Sequence, residues 1–299
     1  MGDLDALRSM LFTPGSRLDL VAKAARSGTD AVIVDLEDAV PLASKSEARQ
    51  NLASLPSSEV PYYVRVNGGE TDLLWPDVVA AGQSGVAGVI LPKAEDPDLL
   101  RRIDGALTAA EVAGGREPGS TTLVPLIESA LGVQRAPELL GCAPRVRSVL
   151  FGSGEQGDLV VDLGCEWSPE GTGLLAARSL VLLAARAAGI DQPMEAVFMD
   201  FRNLDALRTE CLLAKRLGYV GKVAIHPAQV PVIHDVFTPG VEEVAHQRKI
   251  LEHFDRALEA GSASIAVDGR MVDYAVARMA RAVLARAEVA ERAAKRSGS

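Results

Sequence analysis

Short apolar runs alternate with longer segments of helical period along most of the chain. The apolar runs predict buried strands, and the longer segments predict amphipathic helices. The predicted strands end at Thr13, Glu37, Asn67, Lys93, Glu128, Gly152, Asp200 and His226. The predicted helices are Arg17–Ser27, Lys45–Ser54, Asp72–Ser84, Asp96–Ala113, Gly132–Gly141, Gly171–Ala188, Asn203–Leu217 and Pro227–Val236. Eight such repeats predict an α/β protein built as a (β/α)8 barrel, the TIM-barrel architecture.

The pattern changes after the eighth repeat. A helix is predicted from Val241 to Ala260, followed by a short extended piece, "SIAVDGRMVD", and a last helix through about Ala294. We therefore predict a catalytic barrel over residues 1–238 and a helical C-terminal extension over residues 239–299. The extension is too short for an independent domain, so we expect it to pack on the barrel or to reach a neighbouring subunit.

Composition narrows the class of protein. Hydrophobic residues make up 48% of the 299 residues but aromatic residues only 4%, so the core must be aliphatic. The net charge of −9 argues against a nucleic-acid surface, because phosphate backbones require clustered Lys and Arg. Three widely spaced cysteines fit a reducing, cytoplasmic compartment. The N-terminus, "MGDLDALRSM", lacks the basic start of a signal peptide, and no apolar run reaches the roughly 18 residues of a membrane span.

Polar residues recur where the predicted strands end, and active sites of such barrels lie at the carboxyl ends of the strands. These strand-end residues are Glu37, Arg65, Lys93, Glu128, Asp200 and His226. Negative charge is densest after the second strand, where the stretch "AVIVDLEDAV" contains Asp35, Glu37 and Asp38. The period of two in a strand places Asp35 and Glu37 on the same side. We expect this end of the barrel to be the functional face.

Two acids follow consecutive predicted strands. Glu128 ends the run "VPLIE", and Asp158 lies in the loop "GSGEQGDLVVD" after the sixth strand. Two carboxylates that leave several positions open are a typical protein contribution to a Mg²⁺ site, because this ion keeps water and substrate oxygens as its other ligands. The alternative is that both are solvated loop acids.

Three groups of basic or titratable residues suggest anion binding. Arg65 lies inside an apolar strand, where its guanidinium must be paired. It forms a salt bridge with Glu37 or Asp35, or it acts as an anion clamp, or it does both. Arg17 and Lys23 on the first helix form either a phosphate-binding edge or a solvated face. His226 precedes Pro227 and is either part of a capped turn or a ligand contact.

The motifs together resemble a known family. The segments "RSMLFTPGSR", "DAVIVDLEDAV" followed by "SKSEAR", "YVRVNG", "GVILPKAE", "LIESALGV", "FGSGEQGDLVVDLG", "GKVAIHPAQV" and "VDGRMVDYAV" resemble the citrate lyase beta-subunit-like proteins of the HpcH/HpaI aldolase superfamily. That group includes malyl-CoA and citramalyl-CoA lyases. The resemblance extends from about Arg8 to Arg286, and the order and spacing of the motifs make it highly specific.

The resemblance implies a Mg²⁺-dependent barrel lyase that cleaves a 3-hydroxyacyl-CoA into an acyl-CoA and a 2-keto acid. It implies that Glu128 and Asp158 are the metal ligands and that Arg65 stabilises the thioester enolate. It also implies that Asp273 is an acid that a neighbouring subunit brings over the site, so that the extension acts as a lid in a homotrimer or hexamer. The implied substrate or CoA contacts are Phe12, Thr13, Arg17, Lys23, Ile225 and His226. Asp35, Glu37 and Asp38 then orient Arg65 and metal-bound water.

One segment departs from the family pattern. The loop "GSGEQGDLVVDLG" carries about three extra residues before Asp158, which makes Glu155 a rival metal ligand and leaves the accepted keto acid open. Two other functions remain as alternatives. These alternatives to a stand-alone acyl-CoA lyase are a citryl-CoA lyase subunit of a citrate lyase complex and a catalytically silent homologue that binds CoA thioesters.

Overall fold

Eight parallel strands close into a barrel in the computed structural model, which describes residues 7–297 and the side chains of residues 7–291. Neighbours in the chain are neighbours in the barrel, and β1 pairs with β8 to close it. The strands are β1 (Ser9–Pro14), β2 (Ala31–Asp35), β3 (Tyr62–Arg65), β4 (Gly88–Leu91), β5 (Thr122–Ile127), β6 (Ser148–Phe151), β7 (Gln192–Glu195) and β8 (Gly221–Ala224). The predicted (β/α)8 barrel is therefore confirmed.

Helices follow the strands as predicted. Those of the barrel portion are α1 (Leu18–Ala25), α2 (Lys45–Gln50), α3 (Leu74–Ser84), α4 (Pro97–Ala113), α5 (Ala130–Gln134), α6 (Ala136–Leu140), α7 (Asp158–Leu163), α8 (Leu175–Ala187), α9 (Leu204–Leu217) and α10 (Val230–Phe237). Four 3₁₀ turns, Leu42–Ser44, Asn51–Ser54, Thr172–Leu174 and Pro227–Gln229, adjoin α2, α8 and α10 within the described residues. Both faces of the strands are thereby covered, which explains their nearly continuous apolar sequences.

The barrel interior is a packed aliphatic core. Every residue of β2 is buried, as are those of β4, β5 and β6. The interior cluster contains Leu7, Met10, Ala31, Ile33, Tyr63, Ile90, Val124, Leu126, Leu150, Met194, Ala196, Val220 and Val223. Branched side chains at alternate strand positions fill such a barrel, which leaves the polar strand ends to form the rim.

Several predicted boundaries differ from the observed ones by a few residues, and three elements differ more clearly. The seventh strand was expected to run through Asp200, but β7 ends at Glu195. The single helix expected over residues 132–141 is two short helices, α5 and α6, because Pro137 lies in the first turn of α6 and cannot continue the hydrogen-bond ladder of α5. The segment after Gly157, expected to be a loop, forms the short helix α7.

Four charged residues are fully buried between the barrel wall and its helices. Arg178 on α8 donates to Glu195 of β7 and to Glu210 of α9, at 2.5 and 2.8 Å. Lys222 of β8 lies 3.1 Å from Glu195 and 2.9 Å from Glu210. The cluster contains two positive and two negative groups, so its charges balance in a region closed to solvent.

The chain divides into two compact units, of which the first ends at Asp235 and the second begins at Val236. The second contains α11 (Val241–Glu259), a hairpin of β9 (Ile265–Val267) and β10 (Arg270–Val272), and α12 (Tyr274–Ser297). Its own core consists of Ile250, Phe254, Val267, Val272, Ala277 and Ala280. Helical C-terminal residues were predicted, and the structure confirms them. Among the described residues, none of the helices combines the length and apolarity needed to cross a membrane.

Candidate active site

Arg65 lies at the carboxyl end of β3 and is bound by the acid that ends β2. Its Nε donates to Asp35 Oδ1 and its Nη2 donates to Asp35 Oδ2, both at 2.7 Å. The Asp35 carboxylate also accepts the backbone N–H groups of Glu37 and Ala39, at 3.0 and 2.9 Å. The guanidinium also lies over the ring of Phe12, 4.7 Å from its centroid. Arg65 is thus fixed by a planar two-point contact that a lysine could not reproduce.

The other two acids of the second strand end also face Arg65. Glu37 Oε2 lies 2.9 Å from Arg65 Nη1, without the geometry of a directional hydrogen bond. Asp38 is 3.7 Å away and largely exposed. Burial opposes the charge on Arg65, but the hydrogen bonds that it donates to Asp35 and the charges of the three acids together raise its pKa. The salt bridge expected for Arg65 is present. The role of an anion clamp stays compatible with this geometry, because the paired guanidinium still lies on the rim.

Burial also changes the ionisation of Glu37. Desolvation raises its pKa to about 7, with Arg65 opposing the shift and Asp38, Glu128 and Asp35 adding to it. The backbone of the same loop is fixed by Lys45, whose Nζ donates to the carbonyl oxygens of Leu36 and Glu37, both at 2.9 Å. Lys45 also donates to Asn67 Oδ1 at 2.6 Å. This lysine belongs to the motif "SKSEAR", but its role could not be read from the sequence.

Glu128 follows β5 directly and is half-buried on the same rim. Its Oε1 accepts the backbone N–H of Lys93 at 3.0 Å. Desolvation raises the pKa of Glu128 to about 7; the Lys93 hydrogen bond and the charge of Arg65 oppose the shift, and Asp158 adds to it. Gly152, at the end of β6, permits this position, because a Cβ there would lie 2.6 Å from the Cβ of Glu128.

Asp158 is the first residue of α7 and is half-exposed. The Nζ of Lys93 lies 3.4 Å from its Oδ1. Burial lowers the pKa of Lys93, but the charges of Asp158, Glu128 and Glu37 outweigh this and raise it. Lys93 therefore contacts both acids that the sequence singled out as metal ligands, through its backbone at one and its side chain at the other.

The donor set fits a magnesium ion. Within residues 7–297, no group of three or more His, Cys, Asp or Glu side chains is placed to bind a metal. Glu128 and Asp158 are two carboxylate donors that contact the same residue, Lys93. Mg²⁺ commonly takes one or two carboxylates and fills its remaining positions with water and substrate oxygens, whereas structural Zn²⁺ takes four protein ligands. Glu155, the rival ligand, is exposed in the turn before α7.

The predicted substrate contacts near β1 lie at different depths. Phe12 packs against the barrel core and under Arg65, and Thr13 is buried. Arg17 precedes α1 and is exposed, where it pairs with Asp19 at 2.9 Å. Lys23 lies in the last turn of α1, so the helix separates it from the strand end where Arg17 lies. The structure therefore places Phe12, Thr13 and Arg17 close to the end of β1, and Lys23 farther from it along α1.

The turn after β8 is fixed by its own hydrogen bonds. His226 Nδ1 accepts the N–H of Ala228, and Gln229 Oε1 accepts the N–H groups of Ile225 and His226. The His226 ring stacks on Phe201, with centroids 4.7 Å apart. The capped turn proposed as one alternative for His226 is present, and its ring remains part of an aromatic pair at the rim.

Asp273 belongs to the second unit, where it follows β10. Its Oδ1 accepts the N–H groups of Ala275 and Val276, at 2.9 and 3.1 Å, and so caps α12. An aspartate at this position satisfies N–H groups that the helix itself leaves unpaired. The capping contact accounts for the residue type, while the catalytic role implied by the resemblance stays a prediction.

Two family models match the chain. The model of the HpcH/HpaI aldolase/citrate lyase family matches residues 8–227, and a model of carbon–carbon bond lyases of the TIM-barrel fold matches residues 178–290. Together the matches include the barrel and the helical extension. The first alone covers well over half of the chain.

Named relatives and a solved structure match over nearly the whole length. Citrate lyase subunit beta of Escherichia coli K12 is 37% identical over 288 residues, covering 94% of this chain and 93% of that protein. L-malyl-CoA/beta-methylmalyl-CoA lyase of Rhodobacter capsulatus is 31% identical over 306 residues, covering 95% of each. CitE of Mycobacterium tuberculosis, solved with magnesium, acetoacetate and coenzyme A, has a TM-score of 0.74 and 31% identity, covering 95% of this chain and 98% of that one. The chain therefore belongs to the HpcH/HpaI aldolase/citrate lyase family, a family of carbon–carbon lyases.

Proposed function

We propose that the protein is a magnesium-dependent lyase that cleaves a 3-hydroxyacyl-CoA of the malyl-CoA, methylmalyl-CoA or citramalyl-CoA type. Its products would be an acyl-CoA and a 2-keto acid. The observation that carries the proposal is the fixed guanidinium of Arg65 on the same rim as the carboxylates of Glu128 and Asp158. The malyl-CoA lyase relative and the solved relative with magnesium and coenzyme A support the choice of substrate and metal.

The reaction breaks the bond between the carbon next to the thioester and the carbinol carbon. The electron pair of that bond moves onto the thioester as an enolate, and the hydroxyl proton passes to a base. The enolate carbon then takes up a proton, which gives the acyl-CoA. The positive charge of Arg65 would stabilise the thioester oxygen as it becomes negative. Because Asp35 and Glu37 already fix this guanidinium, little reorganisation would be needed during the reaction.

The other site residues divide into ligands, contacts and a base. Glu128 and Asp158 would bind the magnesium ion, which when bound supplies Lewis-acid attraction for the oxygens of the departing keto acid. Asp273, contributed by a neighbouring subunit of a homotrimer or hexamer, would accept the hydroxyl proton. The remaining residues proposed to contact substrate or CoA are Phe12, Thr13, Arg17, Lys23, Ile225 and His226.

A second candidate is the citryl-CoA lyase subunit of a citrate lyase complex. It is favoured by the 37% identity to citrate lyase subunit beta of Escherichia coli. The two candidates share the bond that is broken and differ in the acyl group and in the need for partner subunits. Both candidates bind an acyl-CoA and a small keto acid. We expect neither to bind nucleic acid or a membrane, and we expect both to act in the cytoplasm.

The test is a panel of four thioesters, malyl-, methylmalyl-, citramalyl- and citryl-CoA, assayed by keto-acid release with Mg²⁺ and with EDTA. Mg²⁺-dependent turnover of one of the first three by the isolated chain supports the first candidate. Turnover of citryl-CoA alone supports the second. If none is cleaved while CoA thioesters still bind, the lyase proposal fails and the chain is a silent binding homologue.

A further inference from the structure

Lys93 makes two different contacts at the proposed metal centre. Its backbone N–H donates to Glu128 Oε1 at 3.0 Å, and its Nζ lies 3.4 Å from Asp158 Oδ1. The two acids come from different strand ends, after β5 and after β6. Lys93 itself follows β4, so this one residue connects three consecutive strand ends at the rim.

The backbone of Lys93 has an uncommon conformation. Its φ angle is +47°, in the left-handed region that residues other than glycine rarely adopt. Such conformations persist where the surroundings fix them, and they concentrate at functional sites. In this case the conformation directs the N–H of Lys93 at the Glu128 carboxylate, which orients that carboxylate toward the rim.

The side chain supplies a charge that the two acids need. Glu128 and Asp158 both contact Lys93, so two acids of like charge lie around this one residue. The Lys93 ammonium lies beside Asp158 and supplies the opposite charge. A divalent ion bound by the same carboxylates would take over this role and would compete with the ammonium for Asp158.

We propose that Lys93 is a positioning residue of the metal centre, whose backbone orients Glu128 and whose ammonium is the resident cation that the magnesium ion displaces from Asp158. This inference rests on the proposed function, because it takes Glu128 and Asp158 as the metal ligands. Two consequences follow. Removal of the ammonium strengthens metal binding and lowers the stability of the metal-free protein. Removal of the left-handed conformation weakens metal binding.

The ammonium is tested with Lys93→Met, which keeps the backbone N–H and the length of the side chain without its charge. Titration with Mg²⁺ by isothermal calorimetry should give a Kd about twofold to fivefold lower than that of the wild type, as expected for the loss of one half-exposed competing ion pair. The melting temperature of metal-free Lys93→Met should fall, while that in saturating Mg²⁺ should equal the wild-type value. A merely structural lysine would lower both melting temperatures alike and leave the Kd unchanged, and that result would overturn the proposal.

The backbone is tested by comparing Lys93→Val with Lys93→Met. Both lack the ammonium, but a β-branched residue strongly disfavours the left-handed conformation. Lys93→Val should therefore bind Mg²⁺ more weakly than Lys93→Met, by about threefold or more if the Glu128 contact is lost. Equal Kd values for the two variants would overturn the backbone role.

Arg186→Met is the matched control. Arg186 on α8 lies 3.4 Å from Asp191, the same separation as in the Lys93 pair, but at the amino end of β7, and its loss should leave the Kd unchanged. Failure of the proposed function has a different signature. If the wild type binds no Mg²⁺ at millimolar concentrations, the metal site is wrong; if it binds Mg²⁺ and turns over but Lys93→Met binds no more tightly, the inference on Lys93 alone is wrong.

Discussion

Arg65 and Asp35 meet through two parallel hydrogen bonds, each 2.7 Å long, at the ends of neighbouring strands. The carboxylate also accepts two backbone N–H groups, so it is anchored from both sides. This pairing answers the question raised by three acids after an apolar strand. The acids provide the counter-charge for a guanidinium that would otherwise be buried alone.

Arg65→Lys should lower kcat by about 10²-fold or more, because an ammonium cannot make the planar two-point contact, and loss of a preorganised donor typically costs that much. The measurement is kcat on the thioester cleaved in the panel. Arg8→Lys is the matched control: Arg8 makes the same kind of contact with Asp30, at 2.9 and 2.7 Å, at the amino ends of the strands. It should lower stability without a comparable loss of turnover. Near-wild-type kcat in Arg65→Lys would rule out the proposed enolate role.

Loss of a residue that supports a metal ligand typically weakens metal binding by about 10–100-fold. Glu128→Gln should weaken Mg²⁺ binding by more than this, because it removes the charge of a proposed ligand. The fold should persist, since the raised pKa of Glu128 means that its charged form is disfavoured by burial. Calorimetric Mg²⁺ titration measures the first effect and thermal melting the second. Glu138→Gln, at a well-exposed acid on α6, should leave the Mg²⁺ Kd unchanged. Wild-type affinity in Glu128→Gln would remove the metal assignment.

The metal-free protein should lose stability between about pH 5 and pH 8 through Glu37. Its folded-state pKa of about 7 lies above the unfolded value of 4.5, so the folded state binds the proton more tightly. The resulting stabilisation is present below pH 4.5 and is lost as the pH rises through 7. The free energy of unfolding should fall by about 2–3 kcal/mol between pH 5 and pH 8 through this group.

The check is the free energy of unfolding in urea at pH 5, 6, 7 and 8, with EDTA. Glu37→Gln should remove the share of the pH dependence that comes from Glu37, because an amide does not titrate, and should leave the share of Glu128, whose pKa is also raised to about 7. Glu138→Gln, at an exposed acid on α6, is the control and should leave the pH dependence unchanged. A Glu37→Gln curve parallel to that of the wild type would contradict the shifted ionisation.

Asp273→Asn should lower kcat by about 10²-fold or more, as expected for the loss of a catalytic acid or base. Asparagine is as good an N-cap as aspartate, so α12 should keep its stability and the thioester should still bind. Asp273→Ala should lose both the cap and the activity. If Asp273→Asn turns over at the wild-type rate with an unchanged KM, the residue is a helix cap without a catalytic role.

Lys222→Met should destabilise the protein by about 3–5 kcal/mol, because it leaves Glu195 and Glu210 buried with Arg178 as their only remaining partner in the cluster. Adding Glu210→Gln should restore about half of that loss by balancing the charge. Urea denaturation of the single and double variants measures both effects. A double variant no more stable than the single one would show that charge balance does not explain the cluster.

The fold was largely predictable because each barrel strand is a short aliphatic run followed by a helical segment. The seventh strand shows where this signal fails. Gln192 and Glu195 are polar but fully buried, Gln192 because it donates to the carbonyl of Leu7 and Glu195 because it pairs with Arg178 and Lys222. The hydrogen-bond and ion-pair partners of these two side chains are distant in the chain. A prediction based on apolar runs cannot see them, and it therefore places the seventh strand too far along the chain.

The site was predictable only where a residue conflicts with its local context. Arg65 in an apolar strand suggested an acidic partner, and the structure supplies Asp35. Glu128 at a strand end suggested a metal ligand, and that role stays a prediction. The positive φ of Lys93 leaves no mark in the letters "LPKAE", and the three backbone and side-chain acceptors of Lys45 depend on loops that only the folded chain brings together. The cap formed by Asp273 is local and could have been inferred from its place before a helix.

Gly152 limits how this site can diversify. Since any side chain there would collide with Glu128, the end of β6 cannot be altered without displacing a proposed metal ligand. The stretch before Asp158, where the family resemblance indicates extra residues, lies beyond Gly152 and is exposed at residues 155 and 156. Directed evolution toward new keto acids should therefore keep position 152 constant and randomise residues 155–157.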